Sequence, residues 1–215
     1  MESIPERLAE MLYEAATSGR DQDVRSLLLV GADINKFDHN SLDDDQYYTL
    51  YSYPEVVRAL LQSSTFDPRD DGNYPMLFVC QGNNVEVLKL LLLDGRADPN
   101  VNYFGRTPLA QACRLCHKEI VKMLLLDGRA DPSALESEAL LLAADSGCTK
   151  VVSMLLNDGR VNAAAGDNEA ILLAMESKSW EIVQLLMKEP RVYRTIDRDL
   201  SKENVDLAKK ISRSY

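Results

Sequence analysis

Long apolar runs are missing from this sequence. None approaches the roughly twenty residues that a membrane-spanning helix needs. The opening MESIPERLAEML also lacks the basic region and long apolar stretch of a secretory leader. The expected setting is therefore the cytoplasm, or the nucleus, with no membrane partner. Basic residues are in deficit too: 24 Lys and Arg stand against 34 Asp and Glu, for a net charge of −10. A phosphate backbone is repelled on average by such a surface, which argues against nucleic acid and leaves a basic protein as the partner that charge favours. Cysteine is scarce, and Cys80, Cys113, Cys116 and Cys148 are too unevenly placed for the framework of a small secreted domain. All four are expected as free thiols. The only histidines, His39 and His117, lie far apart. There is no nucleophile elbow, phosphate loop or calcium-loop spacing, so no catalytic residue, metal or cofactor is expected, and no enzyme.

What is present is a repeat. The segment LLLLDGRADPN at 90–100 returns as LLLDGRADPS at 124–133 and, weakened, as LLNDGRVNAA at 155–164. Its glycine recurs at Gly95, Gly128 and Gly159, with Pro190 in the next slot, and Asp98 maps back onto Asp67 and Asp33. Periods in the low thirties mark a solenoid of stacked supersecondary units. Six copies tile the chain at about 4–37, 38–70, 71–101, 102–133, 134–164 and 165–195, within a single domain over 1–215.

Residues 105–132 show one copy most clearly. Thr107 can cap a helix through its hydroxyl, and Pro108 sits at the first helical position, where its missing N–H is harmless. Leu109, Ala112 and Cys113 share a face. Ile120, Val121, Leu124 and Leu125 follow at helical spacing, and Asp127-Gly128 ends the second helix. Helices of about ten residues are marginal alone and need stacked neighbours. GRTPLAQAC, KEIVKMLLL and the Gly-Ala-Asp turn together resemble the ankyrin repeat, as do 14–35, 73–100, 137–156 and 168–187. That resemblance implies an all-α solenoid of stacked helix pairs with projecting turns or short hairpins, monomeric and working as a protein-binding module or adaptor. The copy at 38–62 keeps its second helix but has lost the Thr-Pro start. A capping helix is predicted over 200–212, with Ser201 as N-cap and Leu200 and Val205 as a hydrophobic staple. At the other end, Glu6, Arg7, Glu10 and Glu14 form the solvated side of the first helix.

Several constellations compete with pure scaffolding. Cys113-Arg114-Leu115-Cys116-His117 has the spacing that attaches c-type haem. It falls, however, on a helix end and loop of the repeat, which favours a small buried Cys113 and a turn-bonding His117. Zinc shared by Cys80, Cys113, Cys116 and His117 is disfavoured because Cys80 and Cys113 occupy equivalent places about 9 Å apart in adjacent repeats. The acidic runs Asp43-Asp44-Asp45 and Asp70-Asp71 read as solvated loops, or else as a patch for a basic partner. Arg96, Arg129, Arg160 and Arg191 share one slot, each two residues after an acid; they are either a structural row or an anion-reading strip. Trp180 is expected to pack in the core. Recruitment of substrates to a larger assembly, such as a ubiquitin ligase, is the alternative to a simple adaptor.

By the resemblance, partners dock on the first helices and on the tips before them. The tip residues are Asp70, Asp71 and Asn73 in one copy and Tyr103, Phe104 and Arg106 in the next. The adjoining helix-end residues are Gln81, Arg114, Leu115, Asp145 and Ser146. Tyr and Arg dominate binding hot spots, which singles out 103–106, with Phe104 either presented to a partner or tucked under a neighbour. Tyr47, Tyr48, Tyr51 and Tyr53 beside the acidic run form a second candidate zone.

Overall fold

Reciprocal capping starts the first helix: the Ser3 hydroxyl accepts from the Glu6 N–H at 3.4 Å, while the Glu6 carboxylate accepts from the Ser3 N–H at 2.8 Å. The structure, a computed structural model, describes residues 3–36, 49–69 and 74–213. Among these it has thirteen α-helices and no strand. In pairs they are α1 (Ile4–Thr17) with α2 (Asp21–Leu29), α4 (Tyr74–Gln81) with α5 (Val85–Asp94), and α6 (Pro108–Arg114) with α7 (Lys118–Asp127). These are followed by α8 (Ala134–Asp145) with α9 (Thr149–Asp158), α10 (Ala165–Glu176) with α11 (Trp180–Met187), and α12 (Pro190–Asp199) with α13 (Lys202–Arg213). Between the first two pairs stands α3 (Pro54–Gln62). The first helix expected in the degenerate copy lies mostly outside the described residues.

Two compact units are formed, residues 1–103 and 104–215. In the first, α2 packs on α3 and α3 on α5, burying Val24, Val56, Val57, Leu60, Val87, Leu88 and Leu91. In the second, α6, α8, α10 and α12 pack in succession as one row, and α7, α9, α11 and α13 as another. The core between those rows holds Leu109, Ala112, Cys113, Ile120, Leu124, Leu140, Leu155, Ile182 and Leu186. Small residues such as Ala112, Ala143 and Ala144 let the first-row helices approach closely, as helix packing requires. Each second-row helix through α9 ends on a left-handed glycine, Gly128 at φ 79° and Gly159 at φ 78°, a conformation that side-chain-bearing residues resist.

The chain end differs from the sequence expectation of a turn at Pro190 and one capping helix over 200–212. Pro190 opens α12 instead, because its fixed φ and absent N–H suit a first helical turn, and Val192 and Ile196 are buried one turn apart. Ser201 does cap α13, its hydroxyl accepting from the Asn204 N–H at 3.4 Å, with Leu200 and Val205 buried across it. Trp180 also departs from its expected core position: it is the first residue of α11, 40% exposed, and walls a cleft of about 510 Å³ with Thr149, Lys178, Glu181 and Gln184.

The cysteine expectation is corrected as well. Cys80 and Cys113 are buried and outside any disulfide, but Cys116 and Cys148 are joined by one, with Cα atoms 5.6 Å apart. Equivalent positions in neighbouring repeats are too distant to bridge. These two are not equivalent: Cys116 is the left-handed turn residue between α6 and α7, at φ 57°, whereas Cys148 is one slot later in the next pair, directly before α9. That diagonal offset brings the Cα separation into the disulfide range.

Candidate functional site

Thr107 builds the turn ahead of α6 as its type predicts. The hydroxyl accepts from the Ala110 N–H at 3.1 Å, and Pro108 follows at the first helical position. Immediately before it, Phe104 and Gly105 take consecutive positive φ values of 48° and 80°. This is the signature of a two-residue type I′ turn, whose local preference is Asn-Gly. Phe104 is 89% exposed and Arg106 is exposed. Tyr103 is half-buried and is the last residue of the first unit, while Phe104 and Arg106 open the second.

Arg114 and Leu115 are half-buried at the end of α6, where the Arg114 guanidinium donates to the buried Gln111 amide oxygen at 3.3 Å. Asp145 and Ser146 are exposed at the end of α8. Gln81 ends α4 in the first unit and is half-buried. Asp70, Asp71 and Asn73 lie outside the described residues, as do His39, Asp43, Asp44, Asp45, Tyr47 and Tyr48. Of the remaining tyrosines, Tyr51 is buried and Tyr53 exposed.

The next two tips are not hairpins. Leu135, Glu136 and Ser137 take φ values of 51°, 57° and 66°, and Gly166, Asp167 and Asn168 repeat the form at 56°, 54° and 65°. Each triplet makes one left-handed turn leading into its helix. Three such residues in succession are costly, at about 1–2 kcal/mol for each non-glycine, and buried bonds hold them. Ser137 accepts from the Asn162 N–H at 3.0 Å, and the Asn168 amide donates to Thr195 at 2.8 Å and to Asp199 at 2.6 Å.

The arginine row closes neighbouring turns. The Arg96 guanidinium grips Asp94 through Nε and Nη2 at 2.8 Å each, and reaches back to the Phe66 carbonyl at 2.8 Å and the Leu61 carbonyl at 3.0 Å. Arg160 repeats this with Asp158 at 2.7 and 2.9 Å and with the carbonyls of Ala130, Gly128 and Leu125 at 2.9, 3.2 and 3.4 Å. Arg129 forks onto Asp127 at 2.7 and 3.0 Å. Hydrogen bonds from these guanidinium groups hold the Asp94, Asp127 and Asp158 carboxyls below the usual carboxylate range. Arg191 breaks the row, because its slot lies inside α12 and leaves it exposed. In place of a clasp, Leu156, Gly159, Val161, Arg191 and Arg194 line a cleft of about 330 Å³.

The family model for ankyrin repeats matches residues 47–135, in three copies. Over those residues the chain is similar to ankyrin repeats. No curated protein matches it. Ankyrin repeats are in general protein–protein interaction modules, and the family is typically non-enzymatic. Phe104 and Arg106 lie in the turn ahead of α6, Arg114 and Leu115 at the end of α6, and Asp145 and Ser146 at the end of α8.

Glu138 was not singled out by the sequence. It stands one residue into the right-handed part of α8, with one carboxylate oxygen buried and without a hydrogen bond. Desolvation raises its carboxyl above the usual range, against the opposing pull of the Arg106 charge. Its sequence signal is its place in the slot that Thr107 fills in the preceding copy; the influence of the Arg106 charge on it arises across the stack. Beside it, Leu135 is 42% exposed. The haem-like pentapeptide does not assemble as such, since Cys113 is buried in the core and Cys116 is bonded to Cys148. Among the described residues, no group of three or more His, Cys, Asp or Glu side chains could hold a metal ion, and no helix is long and apolar enough to cross a membrane.

Proposed function

We propose that the second unit binds a partner protein through the turn at Phe104–Arg106 and the helix ends at Arg114, Leu115 and Asp145. The supporting observation is Phe104 itself. A bulky aromatic occupies a left-handed turn position that favours Asn or Gly, and it exposes 89% of its surface. Backbone conformation disfavours the residue and burial does not repay it, a combination that points to function. Arg106, two residues on, is exposed and its charge acts on the partly desolvated Glu138 carboxylate, so an apolar anchor stands near charged groups. This reading adopts the cytoplasm or nucleus and a basic partner from composition, and an adaptor role from the resemblance to ankyrin repeats.

The test compares capture of proteins from the native host by wild type, Phe104→Asn and Arg106→Ala, identified by mass spectrometry. Phe104→Asn relieves the turn, so its melting temperature should equal or exceed that of wild type, while capture falls. Proteins retained equally by all three would remove 104–106 as the site. A strong loss of melting temperature in Phe104→Asn would show that the ring belongs to the fold.

A further inference from the structure

The Cys116–Cys148 bridge closes a sequence separation of 32 residues between two turns, one joining α6 to α7 and the other joining α8 to α9. The two sulfurs are not alike. Cys116 is half-exposed in its left-handed turn, whereas Cys148 is only 6% exposed. An attacking thiolate therefore reaches Cys116 first. Cys148 also sits directly before the ten-residue helix α9, whose dipole favours negative charge and offsets part of the desolvation that burial imposes on a thiolate there. Access therefore sets the order of events: Cys116 is the sulfur attacked, and Cys148 is the one that leaves.

We propose that Cys116–Cys148 is a thiol–disulfide exchange site, taking a small thiol at Cys116 and controlling the order of the two turns it joins. In the first step the thiolate attacks Cys116 Sγ, a mixed disulfide forms, the protein S–S bond breaks, and the electron pair leaves on Cys148. A second small thiolate then attacks its own kind in the mixed disulfide, releasing the small-molecule disulfide and Cys116 thiolate. Two thiols are oxidised and one protein disulfide is reduced by two electrons. Once protonated, the Cys148 thiol lies 3.7 Å from the Ser146 carbonyl and can donate to it.

Opening the bridge leaves the packing of α6 on α8 and α7 on α9 in place, so the unit stays folded while the turns loosen. Arg114 and Leu115 immediately precede Cys116, and Asp145 and Ser146 precede Cys148. Exchange thus acts on residues of the proposed binding surface, and this consequence rests on that reading. Intracellular disulfides of ordinary proteins are mostly of the reversible, redox-sensing kind.

The experiment equilibrates the full folded chain with reduced and oxidised glutathione, quenches by alkylation and maps the modified peptides. Hydrogen exchange is followed over 113–118 and 145–149. The pair should open and close reversibly with far-UV circular dichroism unchanged, and exchange should rise in those two turns. In Cys148→Ser, Cys116 should take up one glutathione; in Cys116→Ser, the buried Cys148 should take up none. A bridge that yields only when the chain unfolds would overturn the proposal, as would turns whose hydrogen exchange is indifferent to reduction, or glutathione on Cys148 rather than Cys116. If Phe104→Asn leaves capture unchanged while these thiol results hold, the binding reading has failed and the exchange site stands.

Discussion

Arg160 carries several bonds at once: two to Asp158 and three to carbonyls of the preceding turn. The ion pair is partly in solvent and is worth under about 1 kcal/mol after screening. The carbonyl bonds add roughly 0.5–1.5 kcal/mol net between them, because the longer ones are weak. Arg160→Lys keeps the charge but loses the fork, so urea denaturation should show a loss of about 1–2 kcal/mol. Arg191→Ala, outside the row, should stay within about 0.5 kcal/mol. The acid partners set a pH signature. Asp158, Asp127 and Asp94 have folded pKa values below their unfolded ones, so their contribution is complete above the unfolded value near about 4 and is lost as pH falls through the folded values. Asp67, held at about 2 by hydrogen bonds from Arg69, extends that window downward. Glu138 has the opposite sign. Its folded pKa is raised, so its favourable contribution belongs to the protonated form below about pH 4 and is lost as pH rises through the folded value. Glu138→Gln should therefore raise the melting temperature at neutral pH, and that gain should vanish in acid. A neutral-pH loss instead would mean that the Arg106 charge outweighs desolvation.

At the scale of the element, short helices survive by packing. Helix α7 has ten residues and is stabilised chiefly by Ile120, Val121 and Leu124, all fully buried. Leu124→Ala should cost roughly 2–5 kcal/mol by leaving a cavity, read as a lower urea midpoint with an unchanged slope. The left-handed turns opening α8 and α10 show a different balance, in which unfavourable backbone is held by Ser137 and Asn168. Both side chains stand one residue ahead of the slot that Thr107 fills in α6, which Glu138 and Glu169 take in these copies. Thr107 is followed by proline and caps through a hydroxyl that accepts from the N–H three residues on, whereas Ser137 and Asn168 bond to the next pair. The Thr107 cap was legible in the sequence, whereas the left-handed turns at Ser137 and Asn168 were not.

For the whole molecule, two units with separate cores make unfolding in more than one step the expectation. The disulfide lies wholly within the second unit. Cross-linking residues 32 apart restricts the unfolded chain by about 3–4 kcal/mol on the loop-entropy model. Reduction should therefore lower the stability of the second unit by about 2–4 kcal/mol and leave the transition of the first in place. Denaturation with and without reductant, followed by hydrogen exchange in each unit, checks this. An equal shift in both units would show them to unfold together.

Sequence alone determined what depends on near neighbours along the chain. The thirty-odd-residue period, the helix pairs, the Thr107 and Ser201 caps, the glycine helix ends and the acid two residues before each arginine are all set within one or two helical turns, where spacing dictates geometry. Contacts between residues about thirty apart depend on how one pair is offset on the next, and residue type does not encode that offset. For this reason Cys116 was read beside Cys113 in the chain rather than opposite Cys148. The carbonyl partners of Arg96 and Arg160, and the meeting of Glu138 with Arg106, were likewise out of reach. Pro190 fitted either a turn or a helix start, and the burial of Val192 and Ile196 decided between them. Phe104 could have been covered or presented, and only the folded turn, with both its central residues left-handed, placed the ring in solvent.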